Sequence, residues 1–175
     1  MPVFTFRLEE WIRDAEKKGF QPATIRSDVV STRIRDCGRC ILVNDEAKLD
    51  LIWDRIQPHL ILLTEIYGTL PVGLNPNLNI LRYHPGHYFK AHYDAHDRSV
   101  PGAIGILNYL NEDFQGGETV FLVEDGKKVS YTPKTGSVLI FDHNLFHKGA
   151  MVQQGMKYTL RTDLLFEIQY ESGLV

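Results

Sequence analysis

Long hydrophobic runs are missing from this chain. Apolar stretches such as Leu60 to Leu63 stop after four residues, and Thr64-Glu65 follows directly. A helix crossing a bilayer needs roughly 18–20 apolar residues, so no membrane span is expected. A secretory leader is not expected either. The chain starts Met1-Pro-Val-Phe-Thr-Phe-Arg7 and then turns acidic, without a basic stretch followed by an apolar one. Cysteine is scarce: two in 175 residues do not make a disulfide scaffold and fit a reducing interior. The cytoplasm is the expected location, with the nucleus second. A basic excess is lacking too. Net charge is −3 and the isoelectric point is near 6.1, which disfavours a nucleic-acid partner. No repeat, low-complexity tract or linker interrupts the sequence. With 43% hydrophobic and 23% charged residues, the composition is that of one ordinary globular domain spanning 1–175.

Cys37-Gly-Arg-Cys40 has the spacing of a redox couple or of half a zinc site. No second such pair supplies four thiolates and no βαβ pattern surrounds it, so free thiols are expected and a structural zinc protein is the weaker alternative.

Leu8, Trp11, Ile12 and Ala15 recur at helical spacing, which predicts a helix over 6–18 capped by Thr5, with Gly19 past its end. A strand-like stretch, Ala23 to Val30, comes next. Leu49, Ile52, Trp53 and Ile56 make the stripe of a second helix, started by Asn44 or Asp45 and stopped near Pro58. From residue 78 on, short β-rich runs alternate with turn pairs such as Pro85-Gly86 and Asp125-Gly126: 78–83, 87–94, 104–110, 118–123, 128–132, 137–141 and 156–168. Helices over 1–77 followed by strands over 78–168 predict an α+β fold, an antiparallel sandwich or barrel with helices packed on one face.

The run Met156–Ile168 alternates. Its even positions are almost all apolar and should lie under the helices, while Lys157, Thr159, Arg161 and Asp163 share the other face. That face either meets solvent or lines the polar interior of a small barrel that holds a ligand.

His92 and Asp94 stand at i and i+2 of a predicted strand and project to one side, with Tyr88 and Lys90; Phe89, Ala91 and Tyr93 face away. His147, after the strand Ser137–Phe141, is available as a third ligand. Two imidazoles and one carboxylate on one face of a metal suit iron(II) and leave adjacent positions open. His84, His87, His96 and His143 crowd the same region, and His92 with His96 is a rival pair, but its i,i+4 spacing works on helices.

These residues carry a resemblance. Arg82-Tyr-His-Pro-Gly-His-Tyr-Phe-Lys-Ala-His-Tyr-Asp94 resembles the first metal-ligand segment of prolyl 4-hydroxylase-like iron(II)/2-oxoglutarate oxygenases. Leu107-Asn-Tyr-Leu-Asn111 with Gly116-Gly-Glu-Thr-Val-Phe121 resembles their central strands and turn. Pro133 to Phe141, then His147-Lys-Gly149, then Gly155-Met-Lys157, resembles their distal half.

The resemblance implies a double-stranded β-helix (jelly-roll) core over 78–168, with N-terminal helices packed on the major sheet. It implies His92, Asp94 and His147 as iron ligands, Lys157 as the cation for the far carboxylate of 2-oxoglutarate, and Tyr83 as a hydrogen-bond donor to the cosubstrate. Arg161 shares a face with Lys157 and is the alternative anchor, a substrate contact, or a partner of Asp163. The nucleic-acid demethylase branch carries a second arginine six residues after its anchor; Asp163 stands there, against a nucleobase substrate.

The implied activity is hydroxylation of a C–H bond, in a peptidyl prolyl or other amino-acid residue, coupled to conversion of 2-oxoglutarate and O2 to succinate and CO2. Ascorbate is the candidate accessory reductant. The alternatives are the same chemistry on a free amino acid or small metabolite, and a non-catalytic jelly-roll binding module. A peptide, protein or small molecule is the expected partner. The loop Ala95–Gly102 and the segment Leu70–Pro76 are expected to frame the entrance.

Overall fold

In the computed structural model of the chain, the described residues are 3–26, 29–94 and 104–166. The stripe Leu8, Trp11 and Ala15 lies on helix α1 (Val3–Lys18) and is buried throughout. The helix begins before the expected cap, so Thr5 lies within it. It ends as predicted, where Gly19 takes φ +91 and returns its N–H to the Ala15 carbonyl. The expected strand Ala23–Val30 is broken into β2 (Thr24–Arg26) and β3 (Val29–Val30), and β1 (Gln21–Pro22) precedes it. Two strands follow that the sequence reading did not foresee, β4 (Arg35–Asp36) and β5 (Gly38–Val43). Helix α2 (Glu46–Ile56) starts at Asp45, whose carboxylate accepts the Lys48 backbone N–H, and Asn44 instead adopts φ 54 before it. Beyond Pro58 a further helix, α3 (Ile61–Tyr67), was also not expected.

The strands then come in quick succession: β6 (Pro71–Leu74), β7 (Asn77–Tyr83), β8 (Tyr88–His92), β9 (Ile104–Tyr109), β10 (Phe114–Gly116) and β11 (Thr119–Leu122). They continue as β12 (Lys128–Tyr131), β13 (Val138–Asp142), β14 (His147–Gly149), β15 (Val152–Gly155) and β16 (Lys157–Phe166). Of these, β6, β10, β14 and β15 fall outside the strands that the sequence predicts, because strands of three or four residues give period-2 alternation too little length to show. The last residues of the predicted strand 156–168 and the loop Ala95–Gly102 lie outside the described residues.

The pairings, antiparallel throughout, form two principal sheets. The major sheet runs β1-β5-β7-β16-β9-β13, with β6 paired to one end of β16; the minor sheet runs β12-β11-β14-β8-β4. Leu78, Ile80, Ile104, Ile106, Tyr158, Leu160 and Leu164 of the major sheet share one buried cluster with Leu8, Trp11 and Ala15 of α1 and Ile52 and Ile56 of α2. The opposite face of β16 carries Lys157, Thr159 and Arg161, which line a cavity shared with His92 and His147 of the minor sheet. The two sheets therefore face each other across that cavity, one apolar face turned to the helices and one mixed face turned inward. The segment Leu70–Pro76 supplies none of the residues lining it, because β6 pairs far along β16, at Leu164–Phe166.

Candidate metal centre

Strands β8 and β14 bring the candidate ligands together. His92 and His147 are Cα partners in this ladder, and Gly149 pairs with Phe89. Two residues of β14 thus span three of β8, a bulge that resets which side chains face inward. Phe89 therefore lines the cavity with His92, and their rings stack at 3.6 Å between centroids. This corrects the expected parity, which placed Phe89 on the far face. Tyr88 instead reaches away to hydrogen-bond the Thr32 and Arg33 carbonyls, and Lys90 is exposed.

Asp94 follows β8 and is held from behind, its backbone N–H donating to the His143 carbonyl at 3.2 Å. One ligand atom from each of His92, Asp94 and His147 lies within 4.8 Å of the others, and among the described residues this is the one such group of metal-capable side chains. In both histidines Nδ1 lies against the backbone carbonyl two residues earlier: Lys90 at 2.7 Å for His92, Leu145 at 2.8 Å for His147. In the tautomer protonated at Nδ1 these bonds leave the Nε2 lone pairs for a metal; when His92 carries a proton on Nε2 it donates instead to Asp94 Oδ1 at 3.2 Å. Nε2 of His92 sits 3.2 Å and Nε2 of His147 3.7 Å from the Asp94 carboxylate.

The electrostatics agree. Burial works to raise the Asp94 pKa, but the His92 hydrogen bond and the charges of Arg161, His147 and His92 outweigh it and hold the carboxyl well below its usual range. Burial, only partly offset by Asp94, lowers the His147 pKa and favours its neutral, ligating form. Asp94 Oδ2 is buried without a hydrogen-bond partner, although the Arg161 guanidinium stands 3.2 Å away. Two imidazole nitrogens, a carboxylate and an unsatisfied oxygen form a donor set that fits a divalent metal with an open side.

Behind the triad lies a small cavity of about 50 Å3, partly open to solvent. At its wall Lys157 and Tyr83 are cross-strand partners, and Lys157 Nζ lies 5.3 Å from the Tyr83 ring centroid. Lys157 is 4% exposed and donates to the Gly117 carbonyl at 2.6 Å. Burial pulls its pKa down to about 8, against the pull of Glu118 and Cys37. Burial and the neighbouring Cys37 push the Tyr83 hydroxyl pKa up, against Arg35, so it stays a donor. Arg161 lies nearer the ligands, between Asp94 at 3.2 Å and Asp163 at 3.4 Å. Asp163 also contacts His143 Nε2 at 3.0 Å, which sets His143 apart from the triad. His84 and His87 meet edge to face, outside it, and His96 lies outside the described residues. Cys37 and Cys40 are both free and buried, on opposite sides of the major sheet: Cys40 in the helix-side cluster, Cys37 in a smaller one with Tyr83.

The sequence reading gives no role to several cavity residues, Thr159 and Arg35 among them. Thr159 Oγ1 is buried at the cavity wall without a hydrogen-bond partner; its face was foreseen but no role. Arg35 enters from β4, directly opposite Phe89. A two-residue strand offers no periodicity, so only its pairing reveals where Arg35 points.

Residues 78–162 match the sequence model of the 2OG-Fe(II) oxygenase superfamily. Prolyl 4-hydroxylase 1 of Arabidopsis thaliana is 27% identical, over 54% of this chain and 42% of that protein. The chain thus spans less than half the length of the curated relatives it matches. Among solved structures, a Pseudomonas putida prolyl-4-hydroxylase superposes with a TM-score of 0.72 at 15% identity, covering 94% of this chain and 87% of that one. A Trichoplax adhaerens prolyl hydroxylase, in complex with a hypoxia inducible factor oxygen degradation domain peptide fragment, superposes with a TM-score of 0.73 at 18% identity, covering 92% and 77%. The shared fold is the jelly roll of these oxygenases.

Proposed function

We propose that the chain is a member of the 2OG-Fe(II) oxygenase superfamily, in its prolyl 4-hydroxylase-like branch, and that it is an Fe(II)- and 2-oxoglutarate-dependent dioxygenase acting on a peptidyl prolyl or other amino-acid residue. One observation carries the reading: the His92, Asp94 and His147 triad and the buried cation Lys157 stand on opposite sheets of one cavity.

Bound at the triad, Fe(II) with 2-oxoglutarate and O2 supplies oxidative decarboxylation to succinate and CO2 and insertion of the second oxygen atom into a substrate C–H bond. The chain's own residues position the reactants. His92, Asp94 and His147 would hold the metal through two imidazoles and one carboxylate. Lys157 takes the far carboxylate of 2-oxoglutarate, because a dicarboxylate entering this cavity leaves water and needs a buried counter-charge. Tyr83 donates a hydrogen bond to the same carboxylate. Lys157 suits this role better than Arg161, whose guanidinium is already engaged by two carboxylates at the metal end. The peptide bound by the Trichoplax neighbour supports a peptide substrate here. Residues 1–77 and 78–168 act as one domain, a reading supported by the core that their side chains share.

The test is spectroscopic and chemical. Under argon, Fe(II) and 2-oxoglutarate should give a visible charge-transfer band that His92→Ala abolishes. In air, with ascorbate added as reductant, proline-containing peptides or free amino acids should gain 16 mass units with stoichiometric succinate. A wild-type protein that binds nickel or zinc as well as iron and forms no succinate with any substrate would be a binding module instead.

A further inference from the structure

The cavity's cations are not equally supplied with anions. Arg161 has Asp94 and Asp163, and Lys157 has the far carboxylate of 2-oxoglutarate if the function proposed above holds. Arg35 differs from both. Its guanidinium carbon lies 4.7 Å from the Phe89 ring centroid, and Nη1 donates to the Thr24 carbonyl at 3.3 Å. The Cys37 thiol and the Tyr83 hydroxyl are its other neighbours. None of these is a carboxylate; among the described residues no carboxylate oxygen comes within 4.0 Å of Arg35. Its Nε is buried and has no hydrogen-bond partner. A guanidinium cannot shed its proton, so a charge placed here calls for an anion beyond the described residues.

Position says which anion. Arg35 borders the triad cavity and also the wider groove in front of His92 and Asp94. That groove is walled by Ile25, Val29, Ile34, Phe89 and Tyr93, and Val29 and Tyr93 are more than half exposed. The two carboxylates of 2-oxoglutarate are already accounted for, one at the metal and one at Lys157. We propose that Arg35 is a specificity-determining residue that takes a carboxylate of the substrate, whose apolar part lies in the groove over His92 and Asp94. This rests on the function proposed above and narrows its substrate to one with an anionic group close to the oxidised carbon. The carboxylate belongs either to a free or C-terminal amino acid or to an aspartate or glutamate beside the reacting residue.

Holo-protein loaded with Fe(II) and 2-oxoglutarate under argon provides the assay, read by perturbation of the charge-transfer band. Absence of that band in the wild type defeats the function proposed above and is scored before any probe is added. Two probe pairs distinguish the sources: N-acetyl-L-proline against N-acetyl-L-prolinamide, and acetyl-Ala-Pro-Asp-Ala-amide against its Asn counterpart. In at least one pair the wild type should bind the carboxylate about tenfold or more tightly than the amide, as a charge-assisted hydrogen bond supports. Arg35→Gln should reduce that preference to within about twofold, and Arg35→Lys should keep part of it as a point charge without the fork. Equal binding within both pairs by the wild type overturns the proposal whatever the variants do. So does a preference that survives Arg35→Gln, or an Arg35→Gln protein whose 2-oxoglutarate affinity falls as far as its probe affinity, which would put Arg35 on the cosubstrate.

Discussion

His92 and His147 are cross-strand partners whose rings stand 4.4 Å apart, and each is pinned through Nδ1 by the carbonyl two residues before it. The repetition of one local device on two strands aims both Nε2 atoms at Asp94, and aromatic rings hold the imidazoles in place, Phe89 against His92 and Phe141 against His147. The placement of the two imidazoles is thus a property of the ladder between β8 and β14, and Asp94 is added to them by its backbone bond to His143.

Replacement of His147 by Ala should leave two ligands and an open side too large to hold the ion. Loss of an outer partner of a metal ligand costs about 10–100-fold in affinity, so loss of the ligand should cost more than about 100-fold. Anaerobic titration with Fe(II), or with Co(II) as a visible reporter, measures it. Near-wild-type affinity would remove His147 from the centre.

Lys157→Met and Arg161→Met separate the two candidate anchors. Removing one member of a buried charge pair costs roughly 2–5 kcal/mol of binding, so Lys157→Met should nearly abolish saturation by 2-oxoglutarate. Arg161→Met should change it far less and act on metal affinity through Asp94. The half-saturating 2-oxoglutarate concentration decides between them, and the opposite order would make Arg161 the anchor.

The ligand-free protein should gain stability from pH 8 upward. Folded Lys157 loses its proton near pH 8, while the unfolded chain keeps it to 10.5. Between those values the unfolded state binds more protons, so stability rises with pH, and the cost of burying the cation is fully present below about pH 8. The urea midpoint across pH 7–10 for wild type and Lys157→Met reads this, and the variant should lack the rise. The neutral amine no longer pairs with a carboxylate, so 2-oxoglutarate affinity should fall over the same interval.

Gly155→Ala should destabilise the fold. Gly155 has φ +77, and a Cβ there would stand 2.5 Å from the Asp113 carbonyl oxygen. A left-handed non-glycine residue costs about 1–3 kcal/mol, and the collision with backbone adds to it. Gly73→Ala serves as control, since its added methyl meets nothing within 4 Å. Equal denaturation midpoints for the two variants would contradict the account.

Much of this was legible in the sequence where a pattern had room to repeat. Helix α2 shows its stripe, and β16 is long enough for alternation to assign Lys157, Thr159 and Arg161 to one face and Tyr158, Leu160 and Leu164 to the other. The triad residues could be picked out by type and spacing, and the structure gathers them. Phe89 and Arg35 were not legible. The bulge in β8 inverts the parity that alternation assumes, and β4 is two residues long. Both are consequences of pairing between strands distant in sequence, information that a local pattern does not contain.

His92 and His147 belong to the minor sheet and Lys157 to the major one, so a dicarboxylate held at both ends would rivet the layers together. Filling the cavity should then slow amide hydrogen exchange in β8 and β16 at once, although the two strands share no ladder. Small molecules that reach only one end would protect a single layer, which gives a way to rank inhibitors by how they bridge the gap.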